Sequence, residues 1–457
     1  MIDRVQMVRG LLLSSMILVL GACGVHRGTQ PQPAHVGSAD VLLIAPHPDD
    51  ETLMAAGVIA RERAAGRRVA VAVVTNGDLS CDRNGLVREA ETIAAMALLG
   101  VREEDIFFLG YPDGHLDELG HLPLAPVTRL DRDGRCVTGN TTYAGRGAGG
   151  TDVHTLLTGK PAPYTSDSLV SDLAALIERL RPYDIYVSHP IDEHPDHASV
   201  YAYLRRALER RAASPPRIHR AIVHIGGCWP NAAQPEPCPA VIFAPGDDAP
   251  PLPSPLDVYR PGERIAVPPA MLARVPAQNP KYMAIATYAS QTGPATRLSY
   301  LFSFARAREP FYPETLEPDG PGRLRRSAPL APAVEGARVR CRVVDAEEKS
   351  AFEIAHTEKG SYGVRMEPTA LVLERQSAGE AALSIGRWRL PRSAAPARHT
   401  VEVLIELRPD DGGVAEITLR RDGELLGVAV DPRPLLDQGA GLPARSSTPE
   451  HLSCERY

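Results

Sequence analysis

The sequence predicts an α/β fold, a mostly parallel sheet with helices on both faces, followed by a C-terminal all-β sandwich. Three observations predict it. Strand-like and helix-like stretches alternate between Val41 and Leu109. The unbroken apolar run Val69 to Val74 suits a parallel strand covered on both faces. Beyond Ala337 the apolar period changes to two, in short runs separated by turns, which indicates a sandwich.

The elements follow in order. Val41 to Ala45 reads as a strand, Thr52 to Ala65 as a helix, Arg68 to Thr75 as a strand and Leu86 to Leu99 as a helix. Asp105 to Leu109 is the next strand. Gly110 to Thr165 is Gly-rich and lacks a period. A loop this long in a compact domain is functional or disordered, and this one leaves the end of a strand, so it is expected to wall a pocket. Ser166 to Leu180 reads as a helix, Asp184 to Ser188 as a strand, Ala198 to Arg211 as a helix and Arg217 to Ile225 as a strand. Cys228 to Pro269 is crowded with proline and is expected to run over the surface. Pro280 to Ser290 reads as a helix near the site.

Residues 310–337 are a Pro-rich linker by composition. Val339 to Val344, Gly363 to Met366, Ala370 to Glu374, Val401 to Leu407, Ala415 to Arg420 and Leu425 to Val430 then read as strands. Arg421 to Glu424 reads as a hairpin turn. The expected division is a signal segment 1–23, a tether 24–39, an α/β domain 40–309, the linker, and a sandwich 338–457. The sandwich looks similar to jelly-roll modules that often bind carbohydrate, and a plain packing module is the competing expectation. The linker and the change of period predict that the sandwich is separable.

Two turns carry the chemistry. His47-Pro48-Asp49-Asp50-Glu51 lies between the first strand and the first helix. His189-Pro190-Ile191-Asp192-Glu193-His194-Pro195-Asp196-His197 lies between a later strand and helix. Open α/β sheets form sites at the carboxyl ends of their strands, so two such turns can share one metal. His47 and Asp50 are three apart, and one tight turn can aim both at one ion; His197 supplies a third ligand. Zinc takes such nitrogen and oxygen donors and keeps a position open for water. Asp49 cannot point the same way, which leaves it to take a proton as general base. His194 would stabilise the oxyanion or protonate the leaving group, with Asp196 fixing its tautomer. His189 and Asp192 read as loop-shaping or supporting groups. The competing reading is local: an Asp at a helix start caps it and Pro there is punctuation. The occurrence of both turns, each after a strand, favours the metal site.

At these residues the sequence resembles the LmbE-like, or PIG-L-like, family of zinc-dependent N-deacetylases. The motifs are His47-Pro48-Asp49-Asp50-Glu51 and His194-Pro195-Asp196-His197. Thr75 to Asp78, Arg88 to Gly100, and Ala289-Ser290-Gln291 after Lys281 look similar too. The resemblance covers roughly Asp40 to Arg308. It implies a Rossmann-like fold, zinc on His47, Asp50 and His197, Asp49 as base and His194 beside the intermediate. It also implies removal of an acyl group from an amide nitrogen, often on an N-acetylglucosamine unit, and raises Arg88 as a substrate contact. Asp113 is a second substrate candidate because it leaves a strand end; His115, beside it, reads as a turn residue.

Residues Met1 to Cys23 have a positive start, Arg4 and Arg9, and an apolar middle, Leu11 to Leu20, too short for a comfortable membrane span. Leu20-Gly21-Ala22-Cys23 resembles a bacterial lipobox, so a lipid on Cys23 and a cell-envelope location, the outer membrane in a Gram-negative host, are expected. Six further cysteines in an exported chain suggest disulfides, expected as Cys81–Cys136, Cys228–Cys238 and Cys341–Cys454. The net charge of −6 without a basic stripe argues against nucleic acid as a partner. The expected function is hydrolysis of an N-acyl group, foremost acetyl, from an amino sugar or glycan. The rivals are a non-catalytic glycan-binding lipoprotein and an amidase acting on a non-sugar conjugate.

Overall fold

Strand β1 (Val41–Ala45) is buried along its whole length. Its side chains alternate between two cores, Val41, Leu43 and Ala45 on one face and Leu42 and Ile44 on the other. This is the burial that a continuous apolar run requires. The computed structural model describes residues 37–211, 214–226, 229–231, 243–293, 299–320, 322–327, 338–346, 351–357, 359–390, 399–408, 413–435 and 452–456. Cys23 with its signal segment, and the Cys228–Cys238 pairing, lie outside the described residues.

After β1 come α1 (Asp50–Ala64), β2 (Val69–Thr75), α2 (Gly85–Leu98) and β3 (Ile106–Tyr111). The long loop then holds a hairpin, β4 (Val127–Leu130) with β5 (Cys136–Gly139), and the short α3 (Val153–Thr158). Next are α4 (Ser166–Leu180), β6 (Asp184–Ser188), α5 (Pro195–Glu209), β7 (Arg217–Ala221), β8 (Glu263–Ala266), α6 (Pro280–Ala286), α7 (Ala289–Thr292) and β9 (Arg308–Glu314). The seven strands run in the order β3-β2-β1-β6-β7-β9-β8. The first five are parallel and the last two antiparallel. The strand order reverses between β1 and β6, so the crevice at their carboxyl ends is the switch point where ligands bind in such sheets.

The structure departs from two expectations. The segment from Pro310 begins as sheet, not linker: β9 pairs with both β7 and β8. A short hairpin, β10 (Leu316–Pro318) with β11 (Leu324–Arg326), follows it. The proline-rich stretch before Pro269 is not only surface, because it supplies β8 and the fully buried Tyr259. β8 is only four residues long, and Pro310 and Pro313 interrupt the alternation of β9, so neither reads as a strand in the sequence.

The C-terminal strands are β12 (Arg338–Ala346), β13 (Ala351–Thr357), β14 (Gly360–Glu367), β15 (Ala370–Ser377), β16 (Leu383–Arg389), β17 (His399–Arg408), β18 (Val414–Arg421), β19 (Glu424–Asp431) and β20 (Leu452–Arg456). They form antiparallel sheets β19-β18-β17-β12-β20 and β13-β14-β15-β16 around a shared apolar core. Asp422 and Gly423 both have positive φ, which the two-residue hairpin turn between β18 and β19 demands. Cys341–Cys454 joins β12 to β20, and Cys81–Cys136 ties the long loop to the segment after β2.

The two parts share contacts that argue against the expected separability. Val414 and Val430 of the C-terminal strands pack in the core of the α/β part. Fully buried Arg220 of β7 pairs with Glu416 of β18 at 3.1 Å, and Arg326 reaches the same carboxylate at 3.2 Å. The polar face of β18 looks solvated in the sequence. It is buried because it carries counter-charges for these arginines.

Candidate metal centre

The two motif turns leave β1 and β6, neighbours in the sheet, and so meet. His47 Nδ1 lies 3.2 Å from Asp50 Oδ2 and 3.1 Å from His197 Nε2, and His197 Nε2 lies 3.1 Å from Asp50 Oδ2. All three residues are buried. Donors around a tetrahedral zinc with bonds of about 2.0–2.1 Å stand about 3.3 Å apart. The triangle therefore fits such an ion.

Each ring has a carboxylate behind it. His47 Nε2 lies 3.1 Å from both Asp113 Oδ1 and Asp196 Oδ2. His197 Nδ1 lies 3.2 Å from Asp192 Oδ2. These partners fix the tautomers so that the opposite nitrogens carry lone pairs. Two lone pairs and a carboxylate oxygen then face one another at about van der Waals distance, an arrangement that calls for a positive charge. In the metal-free protein, protons meet that call. Nearby carboxylates outweigh burial and raise the His47 imidazole well above its usual range, and Asp192 and Asp50 push His197 up to about 10. Loading zinc at pH 7 is expected to release protons, so affinity falls as pH drops. Calorimetry in buffers of different ionisation enthalpy measures this; a buffer-independent heat would contradict it.

Asp196 is corrected from its expected place. Its carboxylate faces His47, not His194, and accepts the Gly114 N–H at 2.7 Å and the Leu116 N–H at 2.9 Å. It orients the His47 imidazole and anchors the long loop. The backbone N–H of Asp196 does the job expected of its side chain, donating to His194 Nδ1 at 3.3 Å. The proton of neutral His194 then sits on Nε2. Burial and the neighbouring imidazoles depress His194 to about 4, so it is neutral at pH 7. Its ring stands 4.7 Å from His47 and 5.0 Å from His197.

Asp49 has φ of 116°, unusual for a residue with a side chain. Such strain is held where the surroundings over-determine it. The turn so formed sends Asp49 and Asp50 in different directions. Burial raises the Asp49 carboxyl to about 7, against the pull of Arg88. Arg88, expected at the substrate, is itself buried: it donates to Asp49 Oδ2 at 3.2 Å, to Gly77 O at 2.8 Å and to Pro48 O. Asp113, the other substrate candidate, holds His47 and accepts the Leu79 N–H at 2.9 Å. Both hold the turns in place. His189 is a loop-shaping residue, its Nε2 3.0 Å from Tyr259 Oη, and Asp192 supports His197 and accepts the His194, Val223 and His224 N–H groups. His115 is half-buried beside Glu118.

Sequence reasoning passed over His224 and Tyr300. The His224 ring stands 4.8 Å from that of His197, and Tyr300 Oη lies 3.4 Å from its Nδ1. A signal existed for His224, since it follows a strand adjacent to β6 on the carboxyl side. The similar-looking segments near Lys281 prove to be supports. Lys281 Nζ pairs with Glu309 at 2.6 Å, and Glu309 accepts the Gly57 and Val58 N–H groups freed where α1 kinks at Ala55. Tyr288 donates to Glu51, and Ser290 donates to Glu91.

Residues 42–208 match the PIG-L family, described as GlcNAc-PI de-N-acetylase. No curated protein matches the chain. Among solved structures, the chain is similar to the conserved protein TT1542 from Thermus thermophilus, with 18% identity, 60% of this chain and 93% of that one covered, and a TM-score of 0.32. It is similar to N,N'-diacetylchitobiose deacetylase from Pyrococcus horikoshii, with 17% identity, coverage of 62% and 85%, and a TM-score of 0.34. It is also similar to the teicoplanin deacetylase Orf2, with 18% identity, coverage of 63% and 98%, and a TM-score of 0.34.

Proposed function

Starting from the PIG-L domain at residues 42–208, we propose that the chain is a zinc-dependent N-deacetylase that removes an acetyl group from an amino sugar or a glycan containing one. The observation that carries the reading is the triangle of His47 Nδ1, Asp50 Oδ2 and His197 Nε2, with a separate carboxylate, Asp49, beside it. Those three residues would hold the ion. When bound, a divalent ion supplies Lewis-acid polarisation and lowers the pKa of water.

The chain's own groups divide the remaining work. Asp49 takes a proton from the attacking water; its raised proton affinity suits a base working near neutrality. Arg88 holds that carboxylate in place. His194 Nε2–H donates to the developing oxyanion. Asp49 then returns its proton to the departing nitrogen as the C–N bond breaks, leaving acetate and a free amine. Asp113, Asp192 and Asp196 keep the two ligand imidazoles oriented.

The test is acetate release from N-acetylglucosamine and from chito-oligosaccharides, before and after chelation and after zinc is restored. Release that is lost on chelation and regained with zinc supports the reading; release indifferent to chelation sinks the metal role. We also propose lipid anchoring through Cys23. Cys23→Ala is expected to move the protein from the membrane fraction to the soluble one, and unchanged fractionation would refute it.

A further inference from the structure

A second cavity lies behind the metal loop. It is a cleft of about 830 Å³ between α5 and the C-terminal strands β16 and β19. Pro190, Ile191, Glu193 and Pro195 of the second motif turn form part of its wall. The same turn carries His194, Asp192 and His197 at the metal centre. One side of this turn therefore faces the candidate reaction centre and the other faces the cleft.

The lining is rich in charge of both signs, with arginines set among five carboxylates, Asp117, Asp192, Glu193, Glu424 and Asp431. Six arginines line the cleft, Arg206, Arg375, Arg387, Arg389, Arg421 and Arg433. Four are neutralised: Arg206 by Glu424 at 3.0 Å, Arg375 by Asp431 at 3.1 Å, Arg387 by Glu367 at 2.5 Å, and Arg389 by Asp117 at 3.4 Å. Arg421 and Arg433 make no ion pair among the described residues. Arg421 pairs in register with Glu424 at the start of β19, and Arg433 follows its end at Asp431. The eight residues of this strand span about 25 Å. The two guanidinium groups thus flank the two ends of β19, with the Asp422 and Glu424 carboxylates acting on Arg421.

The floor is apolar, with an indole in it. Trp388 lies against Gly386 and Gly427, where an added Cβ would stand 2.3 Å and 1.9 Å from the ring. The two glycines leave room for the ring and hold it in place. Indoles pack against the C–H faces of sugar rings while guanidinium groups bind carboxylate or phosphate.

We propose that this cleft binds an extended anionic oligosaccharide bearing carboxylate or phosphate groups, at a site that the second motif turn separates from the metal centre.

The experiment uses the full-length, zinc-loaded protein and calorimetry with three probes: a uronic-acid tetramer, inorganic tripolyphosphate and neutral chitotetraose. The uronate tetramer is expected to bind more tightly than chitotetraose, and a tripolyphosphate response identifies phosphate as the preferred anion. In Arg421→Gln/Arg433→Gln the anionic probe is expected to lose about tenfold or more in affinity, the loss of two charge-assisted contacts. Arg421→Lys/Arg433→Lys keeps the charge and should regain most of it. Acetate release from monomeric N-acetylglucosamine should be unchanged in both variants. Equal binding of neutral and acidic tetramers, or an unchanged affinity in the Gln variant, overturns the proposal. Arginine-dependent binding by a protein that releases no acetate from N-acetylglucosamine or chitotetraose would instead overturn the deacetylase reading and leave the cleft's ligand class standing.

Discussion

Asp49→Asn is expected to slow deacetylation by about 10²–10⁴-fold, the usual loss with a general base, while metal content stays at the wild-type level. The prediction follows from two neighbours facing different ways. Asp50 Oδ2 lies 3.2 Å from His47 Nδ1 and 3.1 Å from His197 Nε2, whereas Asp49 is turned by its positive φ toward Arg88. Asparagine preserves the shape and tolerates positive φ better than most residues, so the turn should survive. Arg88 keeps its two carbonyl partners, Gly77 and Pro48, and is not stranded by the change. His194→Ala should behave like Asp49→Asn, because its ring is beside the triangle without closing it. Asp50→Asn and His197→Ala should instead lose metal. Elemental analysis beside initial rates for the four variants reads the pattern. Metal lost in Asp49→Asn and kept in Asp50→Asn would reverse the two roles, and a pure binding module would show no Asp49 effect at all.

Glu416→Ala is expected to destabilise the whole chain by about 3–5 kcal/mol. It removes the carboxylate that buried Arg220 and Arg326 share at 3.1 Å and 3.2 Å. Arg220 is then left with Glu314 at 3.5 Å and the Tyr312 carbonyl to offset the desolvation of a fully buried guanidinium. Truncation near Pro321 does the same damage and also uncovers the apolar surface that Val414 and Val430 cover. It should therefore give an unstable product, not an active domain. Denaturant unfolding of the full chain measures the first effect. Replacing all three members together, Arg220→Met, Arg326→Met and Glu416→Leu, should recover most of the loss, since an apolar set of similar volume carries no stranded charge. A cost under about 1 kcal/mol for Glu416→Ala, the value of an exposed pair, would mean that water reaches these groups.

The parallel sheet was legible because its strands are buried on both faces and read as apolar runs. Val41–Ala45 and Asp184–Ser188 begin and end where the sequence places them. The meeting of His47, Asp50 and His197 was legible because both motif turns leave strands of one sheet. The last two strands, β8 and β9, were not, because β8 is short and charged and prolines interrupt the alternation of β9. The orientation of Asp196 was not legible either. Only the long loop folding back, with Gly114 and Leu116 offering N–H groups, decides which imidazole its carboxylate meets. The loop can lie so close to β3 because Gly110 lacks a Cβ, which would stand 2.0 Å from the Tyr143 carbonyl oxygen. The union of the two parts escaped the sequence for a similar reason. Glu416 looks like an outward residue on an amphipathic strand until Arg220 is seen opposite.

The most direct measurement is anomalous diffraction at the zinc edge from crystals of the zinc-loaded protein. His47 turns Nδ1 to Asp50 and His197 and Nε2 to Asp113 and Asp196, so the position of the ion discriminates between them. One peak bonded to His47 Nδ1, Asp50 Oδ2 and His197 Nε2, with Asp49 beside it and unbonded, is the predicted result. A peak between His47 Nε2, Asp113 and Asp196, or an empty triangle in crystals of a protein that still releases acetate, would contradict it.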